Sequence, residues 1–199
     1  MKIYSFNALV SRMKYIRRWS LMHASRTESL SEHAADTAIL AHTLCLIAQK
    51  ITGTPMRPET VAVAALYHDA QEILTGDMPT PVKYKNDRLR KAYKALEDES
   101  AAALLGYLPP QLRGEMAGYV TGSLLTEPEA KLLKAADRLS ALIKCTEEVQ
   151  AGNREFAAAL TQQRAALKEM HCPEADYFIV HMLPCYAQPL DELTGQSAD

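Results

Sequence analysis

The chain has 199 residues, enough to bury a sizeable core in one domain, and its 22 basic and 24 acidic residues leave a net charge of -2. That balance gives no broad cationic field for a nucleic-acid polymer, and the longest apolar run, Val61 to Tyr67, is far short of the roughly 20 residues a bilayer crossing needs. Cys45, Cys145, Cys172 and Cys185 are widely spaced with no CxxC pair, so the expectation is a cytoplasmic protein with reduced thiols, without nucleic-acid or membrane partners.

Alanine and leucine supply 55 residues against 15 for valine and isoleucine, which predicts an all-α fold. A short first helix is expected over about Tyr4 to Arg12. An irregular segment follows from Arg17-Arg18-Trp19-Ser20 to Glu28 and offers a functional loop. Ser29-Leu30-Ser31-Glu32 has the form of a capping box, so a helix should run from Leu30 to about Ile51. Thr52-Gly53-Thr54-Pro55 stops it. Pro58 then opens a helix to about Leu74, closed by Thr75-Gly76-Asp77-Met78-Pro79-Thr80-Pro81. From Asn86 to Leu105 the pattern is amphipathic, with Leu89, Tyr93, Leu96, Ser100, Ala103 and Leu104 near one face. A weak helix near Gln111 to Tyr119 follows the Pro109-Pro110 break, and Thr126-Glu127-Pro128-Glu129 forms a second capping box that launches a helix to about Ala151. Stretches near Asn153 to Met170 and Pro173 to Leu183 complete a single bundle of about seven helices.

Four polar residues interrupt this apolar pattern. At 100° per residue, Leu40, Leu44, Ile47 and Ile51 fall within about 40° of His33, which places an imidazole on a buried face. On the next helix Val61, Ala64 and Glu72 share the direction of His68, and Asp69 lies about 100° around from it, so both can reach one point only at the helix flank. Asp137 sits among Leu133, Ala136 and Ala141 and should point at least partly inward. Taken singly, each has an ordinary explanation: a core histidine bonded to a carbonyl, a surface acid, an ion pair of Asp137 with Lys134 or Arg138. Two imidazoles and two carboxylates together make a mixed N/O set suited to a first-row divalent ion with positions left for water and substrate. A simple antiparallel hairpin would put His33 about 27 Å from its turn and His68 about 15 Å, so the two helices must be offset or crossed.

The spacing His33, His68-Asp69, Asp137 resembles the signature of the HD-domain superfamily. The surrounding text is similar to its bacterial 5′-deoxynucleotidases, the YfbR group: Arg17-Arg18-Trp19, Arg26-Thr27-Glu28, Ser31-Glu32-His33, Tyr67-His68-Asp69-Ala70-Gln71-Glu72, Leu74 to Tyr84 and Lys134-Ala135-Ala136-Asp137. The likeness runs nearly end to end and includes Glu147-Glu148 with Ala151-Gly152-Asn153. It implies a single all-α HD domain over residues 1–199, paired as a homodimer, that releases phosphate from deoxyribonucleoside 5′-monophosphates. It also implies that His33, His68, Asp69 and Asp137 hold a divalent ion such as cobalt or manganese, with Asp69 and Asp137 also meeting the substrate. Arg18 would orient the phosphate, Trp19 would pack on the sugar and disfavour a 2′-hydroxyl, Asp77, Met78, Pro79 and Thr80 would touch the nucleotide, and Glu72 would be the catalytic carboxylate.

The chemistry of these residue types agrees. A phosphate monoester carries up to two negative charges, met by the planar fork of Arg18 on one side and a cation on the other. Such a cation lowers the pKa of a water that attacks phosphorus, while Glu72 takes the water proton or supplies one to the leaving group. The alternatives are another HD phosphohydrolase, acting on a triphosphate or a phosphodiester, and a nucleotide-binding protein without turnover. A triphosphate calls for more basic residues than stand out near the motif.

Overall fold

The two capping boxes form as their sequences require. Ser29 Oγ accepts the Glu32 N–H at 3.2 Å while Glu32 Oε2 accepts the Ser29 N–H at 2.8 Å; at Thr126, Glu129 returns the same exchange. The computed structural model describes residues 2–83 and 85–195, and the backbone alone at Thr80. Its first half holds α1 (Phe6–Val10), α2 (Leu30–Ile47), α3 (Pro58–Tyr67), α4 (Glu72–Thr75), α5 (Thr80–Lys83) and α6 (Asp87–Gly106). Its second half holds α7 (Pro110–Thr121), α8 (Glu127–Gln150), α9 (Ala157–Glu169), α10 (Pro173–His181) and α11 (Leu190–Gly195). The described residues thus carry eleven α-helical segments where about seven helices were expected. The excess comes from α4, α5 and α11, each six residues or fewer, α4 being split off from what reads as one helix from Pro58 to Leu74.

α2 lies at the centre, packed on α3 and α8. Leu40, Leu44, Ile47, Val61, Leu132, Leu139, Leu142, Leu167 and Phe178 form the main core, and Phe6, Met13, Leu30, Ala70, Leu104 and Val120 form a second core at the other end of α2. The helix after Leu30 does not stay α-helical to Ile51. It widens into a π-turn over Ala48–Thr52, capped by Gly53 at φ 82°, and the change of pitch swings Ile51 out to solvent. The linker then folds back along α2, because the Thr54 N–H donates to Ala48 O and Gln49 Nε2 donates to Met56 O. α3 packs along α2, and the ring centroids of His33 and His68 lie 5.3 Å apart, so the two helices meet as the mismatch in distance requires.

On α6 the buried residues are Tyr93, Ser100, Ala101 and Leu104, while Leu96 and Ala103 face out. The inward position at 97 is held by a glutamate that accepts a 2.6 Å hydrogen bond from Lys83 Nζ, so the stripe follows 93, 97, 100, 101 and 104. The four cysteines are free, and burial pushes the Cys45 and Cys145 thiols up to about 12. Among the described residues no helix is long and apolar enough to cross a membrane.

Candidate metal centre

α3 ends at Tyr67, and the chain continues through 68–71 in tight turns: the Ala70 N–H donates to Tyr67 O, Glu72 N–H to Asp69 O and Ile73 N–H to Ala70 O. Each of these bonds spans three residues instead of four, which rotates successive side chains away from α-helical spacing. His68 and Asp69 can thereby point at one place, and Nε2 of the first lies 3.0 Å from Oδ2 of the second. His68 Nδ1 is 2.7 Å from the carbonyl of Ala65. A carbonyl only accepts, so Nδ1 carries a proton and Nε2 is the nitrogen left to face Asp69.

His33 comes from the fully buried face of α2. Its Nδ1 is 3.0 Å from Ser140 Oγ on α8, and its Nε2 lies 3.6 Å from Asp69 Oδ2 and 3.3 Å from Asp137 Oδ1. Neither His33 Nε2 nor His68 Nε2 has a hydrogen-bond partner, although both atoms are buried. Two orphaned nitrogens aimed at carboxylates fit a cation that would take the place of a proton between them. The ligand atoms of His33, His68 and Asp69 all fall within 4.8 Å of one another; Asp137 flanks this trio through His33. The local field is strongly negative. Burial opposes a charged His68 ring, yet Asp69 lifts it to about 9, and His68 in turn outweighs burial to bring Asp69 down to about 2.

Above the centre opens a cavity of about 390 Å³, within the range of small-molecule pockets. Arg18, Trp19, Asp69, Glu72, Asp77, Met78, Pro79 and Asp137 line it; of the other expected site residues, His33 and His68 belong to the buried centre and do not border the cavity, and the side chain of Thr80 lies outside what is described. Arg18 Nη1 is 3.8 Å from Asp69 Oδ2. Glu72 is buried with Oε2 unpartnered, and burial together with Asp69 and Asp77 pushes its carboxyl up to about 9. Trp19 packs its indole against Phe156 at 5.3 Å.

Lys83, Lys134 and Arg138 join Arg18 in the lining, which corrects the expectation that few basic residues stand near the motif. In the sequence Lys134 and Arg138 read only as ion-pair partners for Asp137, and Lys83 sits fourteen residues past Asp69, beyond the turn at Gly76. Ser140 and Glu28 were also passed over. Ser140 lies one turn past Asp137 on a polar stripe that continues to Lys144 and Glu148, so it does not stand out. Glu28 stands out only as the end of Arg26-Thr27-Glu28 in the family resemblance, with no role attached to it.

The family model for 5′-deoxynucleotidase YfbR-like proteins matches residues 5–186. A 5′-deoxynucleotidase of Vibrio vulnificus is 42% identical over 189 residues, covering 95% of this chain and 97% of its own. Among solved structures, an HD-domain phosphohydrolase of Listeria innocua superposes with a TM-score of 0.81 at 20% identity, covering 96% of this chain and 92% of its own. The HD phosphohydrolase DatZ of cyanophage S-2L, described as bound to dA and one catalytic zinc ion, superposes with a TM-score of 0.65 at 16% identity, covering 89% of this chain and 95% of its own. With a matching model over most of its length and a relative this similar end to end, the chain belongs to the YfbR-like 5′-deoxynucleotidase family.

Proposed function

We propose that the chain works as a single HD domain that hydrolyses deoxyribonucleoside 5′-monophosphates to deoxynucleoside and phosphate. The observation that carries this reading is the pair of buried, unpartnered imidazole nitrogens facing Asp69 at the foot of a cavity walled by Arg18 and Trp19. His33, His68, Asp69 and Asp137 would hold a divalent ion, cobalt, manganese or a similar metal, since mixed N/O donors suit several first-row ions. When bound, such an ion supplies charge neutralisation at phosphate and a water of lowered pKa.

The chain's own residues supply the rest. Arg18 presents its guanidinium to phosphate from the side opposite the histidines. Glu72 lines the cavity with Oε2 unpartnered, placed to take a proton from the attacking water or to give one to the departing 5′ oxygen. The rigid face of Trp19 fits a deoxyribose and leaves little room for a 2′-hydroxyl. Asp77, Met78 and Pro79 close the far wall, with Thr80 following them in the chain.

A homodimer in the cytoplasm is part of the same proposal. Supporting it, Ile39 and Leu46 leave apolar surface exposed along α2, with Tyr186 also open to solvent, and no cysteine is paired. Of the tail residues, Tyr177 packs on the main core, whereas Val180, His181 and Pro184 are exposed.

The lysines and Arg138 around the cavity also suit a longer phosphate chain, so the test must include one. Metal-stripped protein reloaded with Co²⁺, Mn²⁺ or Zn²⁺ is assayed for products from dAMP, AMP, dATP and a phosphodiester. The proposal expects phosphate from dAMP well ahead of AMP; preferential turnover of dATP or the diester would replace it with another phosphohydrolase, and silence with every ion would leave a binding protein.

A further inference from the structure

Glu28 is buried at the neck of the loop that carries Arg18 and Trp19. The neck is closed by main-chain pairing: the Arg18 N–H donates to Glu28 O at 3.0 Å and the Leu30 N–H to Ile16 O at 2.9 Å, forming a bridge between Arg17 and Ser29. Within it one carboxylate oxygen does two things. Glu28 Oε2 accepts from Arg18 Nε at 3.1 Å and from Trp19 Nε1 at 2.7 Å. Arg18 spends Nε on this contact and leaves the end of its guanidinium free to face the cavity, 3.8 Å from Asp69.

The neighbouring backbone shows why such a hold is needed. Trp19 has φ 58°, a left-handed conformation that a bulky side chain adopts only where its surroundings over-determine it. Its indole is fixed at one edge by Glu28 and on its face by Phe156. Loss of the acceptor would free the ring to turn and release the guanidinium together with it.

We infer that Glu28 is a positioning residue that couples phosphate orientation by Arg18 to sugar selection by Trp19, so that one buried oxygen sets both rate and preference for deoxyribose. The inference rests on the deoxynucleotidase reading for what Arg18 and Trp19 do, but the contact itself can be judged apart from it, because Trp19 is the single tryptophan of the chain and reports its own surroundings by fluorescence.

The test compares metal-loaded wild type, E28A and E28Q in steady-state kinetics with dAMP and AMP and in tryptophan emission. E28A should lose about 100-fold in kcat/KM for dAMP, the scale of a misplaced binding group, lose most of the preference for dAMP over AMP, and shift Trp19 emission to longer wavelength with easier quenching by acrylamide. E28Q keeps an oxygen able to accept both N–H groups and should retain the preference and the emission of wild type. A folded, metal-loaded E28A with unchanged preference and emission would overturn the assignment, as would E28Q failing as badly as E28A. If E28A does not fold, E28D, which withdraws the acceptor by one methylene, is held to the same expectations. A wild type that releases no phosphate or ignores the 2′-hydroxyl would defeat the deoxynucleotidase reading instead, and the emission spectra would still decide whether Glu28 holds Trp19.

Discussion

At the scale of single residues, the proposed chemistry divides between groups that face the reacting atoms and groups that aim them. Glu72→Ala should reduce hydrolysis by roughly 10²–10⁴-fold, the usual worth of a positioned acid or base, while nucleotide binding measured by calorimetry persists. Wild-type turnover by that variant would remove Glu72 from the mechanism. Ser140→Ala leaves His33 Nδ1 without its 3.0 Å partner on α8 and should weaken metal affinity by about 10–100-fold, read by competition with a chelator. The two kinds of residue differ in how they show in a sequence. His33 and Asp137 stand out because a polar group on an apolar helix face is anomalous by itself. Ser140 and Glu28 are unremarkable until the fold reveals what they touch, and Glu28 acts through a single oxygen whose partners precede it by nine and ten residues.

At the scale of elements, α8 shows how one helix face organises the site. Asp137, Ser140, Lys144 and Glu148 follow one another at three- and four-residue steps. The first two address His33; Lys144 Nζ donates to Arg26 O at 2.6 Å, and Glu148 accepts the amides of Ser25 and Arg26. The stripe ties the Arg18–Trp19 loop to the histidines. At the other end of the helix, Glu129 accepts from the Arg57 side chain and from the Thr126 amide, and the Arg57 contact chiefly holds its carboxyl down at about 2. A carboxyl held below its unfolded value stabilises the fold above the ordinary glutamate range and loses that contribution as the pH falls from about 4.5 toward 2. Thermal melts should therefore decline through that window, and Glu129→Gln should make the decline shallower while lowering the melting temperature at pH 7. An unchanged acid limb would remove this pair from the account. Capping boxes, proline starts and glycine stops made most boundaries readable. The break after Tyr67 and the π-turn after Ile47 were not, since neither Tyr67-His68-Asp69-Ala70 nor Ala48-Gln49-Lys50 contains a residue that forbids an α-helix; the first borders the metal cluster, and the second packs against α10, where Thr52 meets Glu174.

At the scale of the whole molecule, the all-α class followed from composition, and the convergence of distant residues followed only from the way α2, α3 and α8 meet. Periodicity placed His33 and His68 on inward faces but left them on helices of mismatched length. α2 and α3 nonetheless pack so that the two rings lie 5.3 Å apart, which periodicity along either helix does not fix. The central claim is that this meeting point holds one cation. Anomalous diffraction from a crystal soaked in Co²⁺ or Mn²⁺ tests it most directly: the account predicts a single strong peak shared by Nε2 of His33, Nε2 of His68 and the carboxylates of Asp69 and Asp137, whereas a peak elsewhere with this cluster left empty would contradict it.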